Sequence, residues 1–270
     1  MGVEGEKHMV SITRQLLTES DCYKEGRALR PQGVMVHSVG VAQPNPQVFI
    51  QRWNKSGVDA CVHAFVNDKS IVQTLPWECR AWHCGGKANN THLAFECCEP
   101  AGHTYQGGTM VGYDSEKNRA YFQAMYRNAV DLTAWLCRRY ELDPTAPGVV
   151  ICHAEGNKLG LASNHADVLQ WWPRHGITMD RFRTDVKTTM AKMDEEEETV
   201  TQQQFNGMMD AYLKARGQAS PSAWSQQARE WAEKAGYIAG SGGGEMRYPA
   251  FVTREELIQI LYAALGREKK

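Results

Sequence analysis

Two short apolar runs that each lead to a histidine constrain the fold of this chain most. The run at residues 34–36 ends on His37, and the run at residues 148–152 is followed directly by His153. Consecutive apolar residues bounded by Gly or Pro are typical of strands that are buried on both faces of a sheet. Because the two runs have similar composition, we predict adjacent strands of one sheet, each with an imidazole at its end.

Two further polar residues, His165 and Asp167, follow in a predicted loop after the second strand. Two histidines and a carboxylate form a typical ligand set for catalytic zinc, which takes three protein ligands and leaves one position for water. Alternate residues of an extended loop point to the same side, so spacing allows either residue to be the third ligand. A lone buried histidine is usually a hydrogen-bonded core group, but the paired placement favours a metal centre.

Glu96 lies in the middle of LAFECCE, a run that otherwise reads as an apolar strand. A buried carboxylate costs free energy unless it has a partner or a chemical role. We therefore predict that Glu96 is the general base that removes a proton from zinc-activated water. The alternative is an ion pair with Arg80 or Lys87. If His165 is not a ligand, we predict that it donates a proton or stabilises an oxyanion.

Composition excludes several other classes of protein. A net charge of −1 gives no electrostatic footprint for nucleic acid or an anionic membrane. No segment reaches the roughly 18 uninterrupted apolar residues of a membrane span, and the N-terminal residues lack a signal-peptide pattern, so we expect a cytoplasmic chain. The eight cysteines contain no CxxC pair, which favours buried thiols in a reducing compartment.

The rest of the chain divides into a larger and a smaller part. A polar turn at residues 67–69 predicts a β-hairpin, and apolar residues at three- and four-residue spacing predict a long helix from about residue 114 to 140. The acidic run at 194–198 marks a composition break. We predict a catalytic domain at 1–192, an acidic linker at 193–201 and a small helical domain at 202–270.

Five motifs together resemble the zinc-dependent N-acetylmuramoyl-L-alanine amidases of the type-2 amidase and peptidoglycan recognition protein fold, especially phage and prophage endolysins. They are VMVHS, IVQTLPWECRAWHCGG, NNTHLAFE, CHAEG and ASNHADVLQWW, and the resemblance covers roughly residues 10–190. It implies an α/β fold with a mixed central β-sheet flanked by helices. It also implies zinc bound by His37, His153 and Asp167.

The resemblance further implies roles for the other candidate residues. Glu96 falls on the catalytic glutamate of the family, and His165 takes the place of a lysine that stabilises the oxyanion. His83 of the AWH motif is expected to contact peptide or sugar, and we predict a substrate contact for Trp82 beside it. From their place in a Gly-rich loop we also predict Asn90 as a substrate-binding residue, with Asn89 as a second candidate; the alternative is that both asparagines form the turn.

The reaction implied by the resemblance is hydrolysis of the amide between N-acetylmuramic acid and L-alanine in peptidoglycan. The protein would be an endolysin that is stored in the cytoplasm and acts on the bacterial wall after release. Two alternatives remain: a non-catalytic peptidoglycan-binding protein of the same fold, and a zinc peptidase that cuts within the stem peptide.

The C-terminal segment resembles a single S-layer homology unit. The resemblance is carried by WSQQAREWAEKAGYIAG and by TREE further along. In that family such units attach proteins to cell-wall polymers, so a wall polymer is a possible partner here. The alternative is a helical unit that packs on the catalytic domain or forms a homo-oligomer.

Overall fold

The computed structural model describes residues 10–198, 202–238, 246–252 and 254–266. The chain divides into two units, with the boundary between Glu197 and Glu198. Among the described residues, no helix combines the length and the apolar character needed to cross a membrane.

The first unit alternates short strands with helices. Its strands are β1 (Ile12–Arg14), β2 (Gly33–Ser38), β3 (Ala64–Val66), β4 (Ile71–Gln73), β5 (His92–Cys97), β6 (Thr104–Gln106), β7 (Thr109–Val111) and β8 (Val150–Cys152). Its helices are α1 (Asp21–Glu25), α2 (Pro46–Trp53), α3 (Arg119–Arg139), α4 (His153–Lys158) and α5 (Met179–Glu198), with 3₁₀ turns at Lys87–Asn90, Asp167–Gln170 and Trp172–His175.

Six of these strands form one mixed sheet in the order β1-β4-β3-β5-β2-β8. Strands β3 and β4 are antiparallel, which confirms the hairpin predicted around residues 67–69. Strand β2 lies between β5 and β8 and is parallel to both, so the two strands that lead to His37 and His153 are adjacent as predicted. With helices on both faces, this architecture confirms the predicted mixed α/β fold.

Side-chain alternation separates the two faces of the sheet. On β2, Val34 and Val36 join the large apolar cluster that contains α3 and α5 residues, whereas Met35 lies on the opposite face. The pairing of His37 with Glu96 therefore puts both side chains on the face away from α3, at the carboxyl ends of parallel strands. This edge is where open α/β sheets place their ligand sites.

Helix α3 confirms the predicted amphipathic helix and corrects its beginning. Its buried residues include the predicted apolar series Phe122, Met125, Ala129, Leu132 and Leu136. Burying each large apolar side chain contributes about 1.5–3 kcal/mol. The helix begins at Arg119 rather than near residue 114, because the Asp114 carboxylate accepts from the amides of Glu116 and Lys117 and so forms a turn first.

Two predicted connections differ in the structure. The loop expected directly after β8 begins as helix α4, where the Glu155 side chain accepts from the Cys152 amide and so caps the helix N-terminus. The acidic run at 194–198, placed in the predicted linker, forms the end of α5. Positions 199–201 of that linker lie outside the described residues.

The elements described in the second unit are all helical, and its residues 246–252 form turn and irregular structure. Its elements are α6 (Gln202–Gln218), a 3₁₀ turn at Ala223–Ser225, α7 (Gln226–Lys234), α8 (Arg254–Leu261) and a π-helical turn at Tyr262–Gly266. Several large apolar side chains are exposed here, among them Trp224 at 89% and Trp231 at 61%.

All eight cysteines lie in the first unit, and each is buried with a free thiol. They are Cys22, Cys61, Cys79, Cys84, Cys97, Cys98, Cys137 and Cys152. This confirms the prediction that the cysteine thiols are buried.

Arg183 connects α5 to the turn that carries His153. Its guanidinium donates to both carboxylate oxygens of Glu155 at 3.0 Å and to the Val150 carbonyl at 2.8 Å. The Arg183 side chain is only 18% exposed. This bidentate contact holds the end of β8 and the start of α4 against α5.

We expect Arg183→Met to lower the free energy of unfolding by about 2 kcal/mol, because a charged, partly buried hydrogen-bond pair loses one partner. Chemical denaturation measures the change. Arg181→Met is the matched control, since Arg181 is 64% exposed and pairs with Asp185 in the same helix. The control should cost less than about 0.5 kcal/mol. Equal losses of unfolding free energy in the two variants would show that the contact between Arg183 and Glu155 stabilises the fold no more than a surface ion pair does.

His63 is a core histidine whose two ring nitrogens are both occupied by backbone groups. Nε2 donates to the Cys79 carbonyl at 2.8 Å, and Nδ1 accepts from the Ala94 amide at 3.0 Å. Burial lowers the pKa of His63 to about 4. The ring is therefore neutral in the folded chain over a pH range in which an unfolded histidine is charged.

His63 should make the protein less stable as pH falls. Between pH 6.5 and about 4 the unfolded chain takes up a proton that folded His63 does not, so up to about 3 kcal/mol of stability is lost over this window. Denaturation at several pH values should give a smaller slope for His63→Gln, which removes the titrating group. An unchanged slope would show that other groups account for the acid sensitivity.

Candidate active site

Three potential ligand atoms converge at the carboxyl ends of β2 and β8. His37 Nδ1 lies 2.9 Å from Asp167 Oδ2 and 3.0 Å from His153 Nδ1, and His153 Nδ1 lies 3.1 Å from the same Asp167 oxygen. Both histidines are buried, and the Asp167 side chain is 13% exposed. Among the described residues, these three form the one cluster of His, Cys, Asp or Glu side chains whose ligand atoms lie close enough together to bind a metal ion.

The arrangement of these atoms fits zinc. Four-coordinate zinc with bonds of about 2.0–2.1 Å separates its ligand atoms by about 3.3 Å. The three contacts of 2.9–3.1 Å lie within a few tenths of an ångström of that value. The donor set, two imidazoles and a carboxylate, is also one that zinc accepts. His165 is exposed and lies outside the group, so the structure brings Asp167 to the third position.

The backbone at Asp167 explains how its carboxylate reaches the histidines. Asp167 has a left-handed conformation with φ of 47°, which few residues other than Gly adopt. Asp tolerates this conformation better than most side chains, and such strain is often found at functional sites. This left-handed backbone conformation directs the Asp167 carboxylate towards the ends of β2 and β8.

The remaining ring nitrogens of the two candidate ligands contact further side chains. His37 Nε2 lies 2.9 Å from His83 Nδ1. His153 Nε2 lies 3.0 Å from Ser163 Oγ and 3.3 Å from His165 Nδ1. Contacts of this kind fix the orientation and tautomer of a metal-binding imidazole.

Two loops that carry these contacts are joined along their backbones. The Ala88 amide donates to the Leu161 carbonyl at 3.0 Å, and the Ser163 amide donates to the Cys84 carbonyl at 2.9 Å. Gly86 permits this approach, since a Cβ there would lie 2.3 Å from the Leu161 carbonyl oxygen. The close contact holds the loop of His83, which contacts His37, against the loop of Ser163, which contacts His153.

Glu96 is a partly buried carboxylate beside this group. Its Oε2 atom is buried and has no hydrogen-bond partner in the described part of the chain. Burial, followed by the nearby charges of Asp167 and Glu99, raises the pKa of Glu96 well above its ordinary value. Arg80, one partner considered for an ion pair with Glu96, instead donates to Asn90 and approaches Glu25.

Opposing effects set the charges of the candidate ligands. Burial disfavours ionisation of Asp167, but hydrogen bonds from His153 and His37 outweigh it and lower the pKa of Asp167. Burial lowers the pKa of His37 despite the neighbouring carboxylate. Burial also lowers the pKa of His83 well below its ordinary value. Neutral imidazoles and an ionised carboxylate are the forms that bind a metal ion.

The predicted substrate-binding residues lie at different distances from this group. His83 contacts His37 directly. Trp82 Nε1 donates to Glu25 at 3.1 Å, and Asn90 Oδ1 accepts from Arg80 at 2.7 Å. The structure thus brings His83 to the candidate ligands, while substrate binding by Trp82 and Asn90 stays a prediction.

Sequence reasoning missed two residues that shape the site, Ser163 and Glu99, and gave a third, Asn89, two interpretations. Ser163 contacts His153, and its only sequence signal is its place two residues before His165. Asn89 Oδ1 accepts from the amides of His83 and Cys84, which agrees with its interpretation as a turn former. Glu99 is a fully buried carboxylate that ends the CCE segment after Glu96.

Comparison with known proteins shows which family the chain belongs to. The sequence model described as N-acetylmuramoyl-L-alanine amidase matches residues 27–170. A bifunctional autolysin of Staphylococcus epidermidis is 28% identical over 155 residues, which is 55% of this chain and 10% of the autolysin. This chain therefore spans about a tenth of the length of that relative.

A solved structure has a similar fold. The Staphylococcus aureus hydrolase AmiA, in complex with its ligand, superposes with a TM-score of 0.51 at 19% identity. The match covers 69% of this chain and 86% of AmiA.

Proposed function

Because the chain belongs to the N-acetylmuramoyl-L-alanine amidase family, we propose that it hydrolyses the amide between N-acetylmuramic acid and L-alanine of the peptidoglycan stem peptide. The observation that carries this proposal is the convergence of His37 Nδ1, His153 Nδ1 and Asp167 Oδ2 within 2.9–3.1 Å of one another. We further propose that these three residues bind zinc.

Zinc, when bound, supplies a Lewis acid that polarises the scissile carbonyl and lowers the pKa of water. Glu96 accepts the proton of the attacking water and delivers it to the leaving nitrogen of L-alanine as the C–N bond breaks. Its unpartnered Oε2 supports this role, and burial, which raises the pKa of Glu96, favours the protonated form that delivers the proton.

The histidines around the candidate ligands have supporting roles in this proposal. His83 orients His37 through its Nε2 atom, and Ser163 does the same for His153. His165 is exposed beside His153, which leaves its ring accessible to substrate, and we assign to it the stabilisation of the oxyanion.

The test of the proposed function is the product of a wall digest. Purified peptidoglycan treated with the zinc-loaded chain should release peptides with free N-terminal L-alanine, seen by mass spectrometry, and a chelator should abolish the release. New termini at other stem residues would show a peptidase. Binding to the wall with no products would show a recognition protein.

We expect the site variants to separate metal binding from turnover. Glu96→Gln should retain zinc and lose at least about 100-fold in turnover, since it cannot accept the proton. Asp167→Ala should lose zinc, whereas His165→Ala should retain zinc with slowed turnover. Metal content and initial rates measure both effects. Glu116→Gln, at an exposed carboxylate, is the control and should change neither. Near-normal turnover of Glu96→Gln would remove Glu96 as the base.

We also propose an endolysin-type role for the chain, in which it acts on the bacterial wall after release from the cytoplasm. The resemblance of its motifs to phage and prophage endolysins supports this role. For residues 202–270 we propose attachment to a wall polymer, supported by the S-layer homology resemblance and by the exposed Trp224 and Trp231 within it.

Replacing these two tryptophans should test the C-terminal unit in the full chain. Trp224→Ala with Trp231→Ala should weaken wall sedimentation several-fold and leave turnover of a soluble muropeptide unchanged, because aromatic side chains supply much of the contact with sugars and polymers. Phe205→Ala, at another exposed aromatic of this unit, is the control. Unchanged sedimentation with a shift in the oligomeric state would favour self-association instead.

A further inference from the structure

Glu99 collects hydrogen bonds from several separate segments of the first unit. Its carboxylate is completely buried and accepts from Ser38 Oγ, from the Gly40 amide at 3.1 Å and from His103 Nε2 at 2.8 Å. The Tyr105 hydroxyl lies 3.0 Å from both of its oxygens. The proposed hydrolysis makes no use of this carboxylate.

Ser38 connects Glu99 to the candidate metal centre. It directly follows His37 on β2, and its hydroxyl accepts from Trp171 Nε1 at 3.1 Å while donating to Glu99. Trp171 directly follows the 3₁₀ turn that Asp167 begins. The chain of contacts from Glu99 through Ser38 to Trp171 therefore links the segment of His37 to the segment of Asp167.

The hairpin of β6 and β7 is held on one side by Glu99 and on the other by the Asp167 turn. Tyr105 on β6 contacts Glu99. On the other side, the Met110 amide donates to Gln170 Oε1 at 2.7 Å, and Gln170 Nε2 donates to the Gly108 carbonyl at 2.8 Å. The hairpin thus spans from Glu99 to the end of the Asp167 turn.

A carboxylate is an expensive choice for a buried structural position. An apolar side chain would fill the same space without loss of hydration, whereas Glu99 requires several donors to compensate for its burial. What a carboxylate adds is short, directional hydrogen bonds to several groups at once. Two of those bonds reach Ser38 and Gly40 in the His37 segment, and Ser38 in turn accepts from Trp171 beside the Asp167 turn. The ligand atoms of His37 and Asp167 lie 2.9 Å apart.

We propose that Glu99 is a positioning residue for the metal centre, which acts through Ser38 and Trp171 to hold His37 and Asp167 at ligand distance. The inference rests on the zinc site of the proposed function. Outer contacts of this kind typically change metal affinity about 10–100-fold when they are removed. Glu99 itself contacts neither metal nor substrate.

The test is zinc affinity, measured by competition with a chromophoric chelator. Ser38→Ala removes the hydroxyl that joins Glu99 to Trp171, and it should weaken zinc binding at least about 10-fold. Tyr105→Phe is the matched control, because it removes a hydroxyl from the same carboxylate but leaves the bond from Trp171 to Ser38 and the two hairpin bonds of Gln170 in place. It should stay within about 3-fold of the unaltered chain. Equal affinity of Ser38→Ala and the unaltered chain would overturn the inference.

Substitution of Glu99 provides the second arm. Glu99→Ala should weaken zinc binding at least as much as Ser38→Ala, and Glu99→Gln should restore part of the affinity, because its remaining oxygen still accepts from Ser38 and Gly40. Leu136→Ala, in the buried face of α3, serves as a control for lost stability. A loss of affinity of the same size in Leu136→Ala would reduce the effect to general destabilisation and overturn the proposal.

The two proposals fail in different ways. Zinc affinity is measured without peptidoglycan, so a chain that binds zinc and shows the expected variant series but releases no L-alanine termini would overturn the proposed function alone. A chain that cleaves the amide while Ser38→Ala and Glu99→Ala bind zinc normally would overturn the positioning role alone. If Glu99→Ala does not fold, the comparison of Ser38→Ala with Tyr105→Phe decides.

Discussion

The parallel pairing of β2 with β5 on one side and β8 on the other is the interaction on which the candidate site depends. It sets His37 opposite Glu96 and Val36 opposite Cys152, so the residue after β8 is His153 beside His37. Side chains alternate along a strand, so a slip of one residue in β2 would turn His37 towards α3 and bury Val36 at the site. The apolar contacts of Val34 and Val36 with the α3 cluster oppose that slip.

Burial has opposite consequences for the scaffold and for the site. The apolar faces of the sheet are stabilised by removal from water. The same environment disfavours charge on Glu96 and His37, so it raises the pKa of Glu96 and lowers the pKa of His37. Asp167 keeps its charge because two imidazoles donate to it.

The sequence predicted those parts of the site that follow from local pattern. Apolar runs located β2 and β8, and a carboxylate in an apolar strand identified Glu96. It left His165 and Asp167 as alternatives, because the choice depends on a left-handed backbone conformation at Asp167. Ser163 and Glu99 were missed because they act through contacts between segments distant in sequence. The predicted start of α3 was wrong because the Asp114 side chain forms a turn before the helix begins.

The burial of every cysteine also affects how the chain meets reactive chemicals. Thiols react as thiolates, and burial raises the pKa of the Cys97 and Cys98 thiols while shielding them from solvent. Alkylating agents and oxidants therefore reach most of these sulfur atoms only when the first unit opens. The rate at which a thiol reagent labels the chain therefore measures how often the first unit opens. Oxidation of these cysteines is likewise limited to the small fraction of molecules that is open.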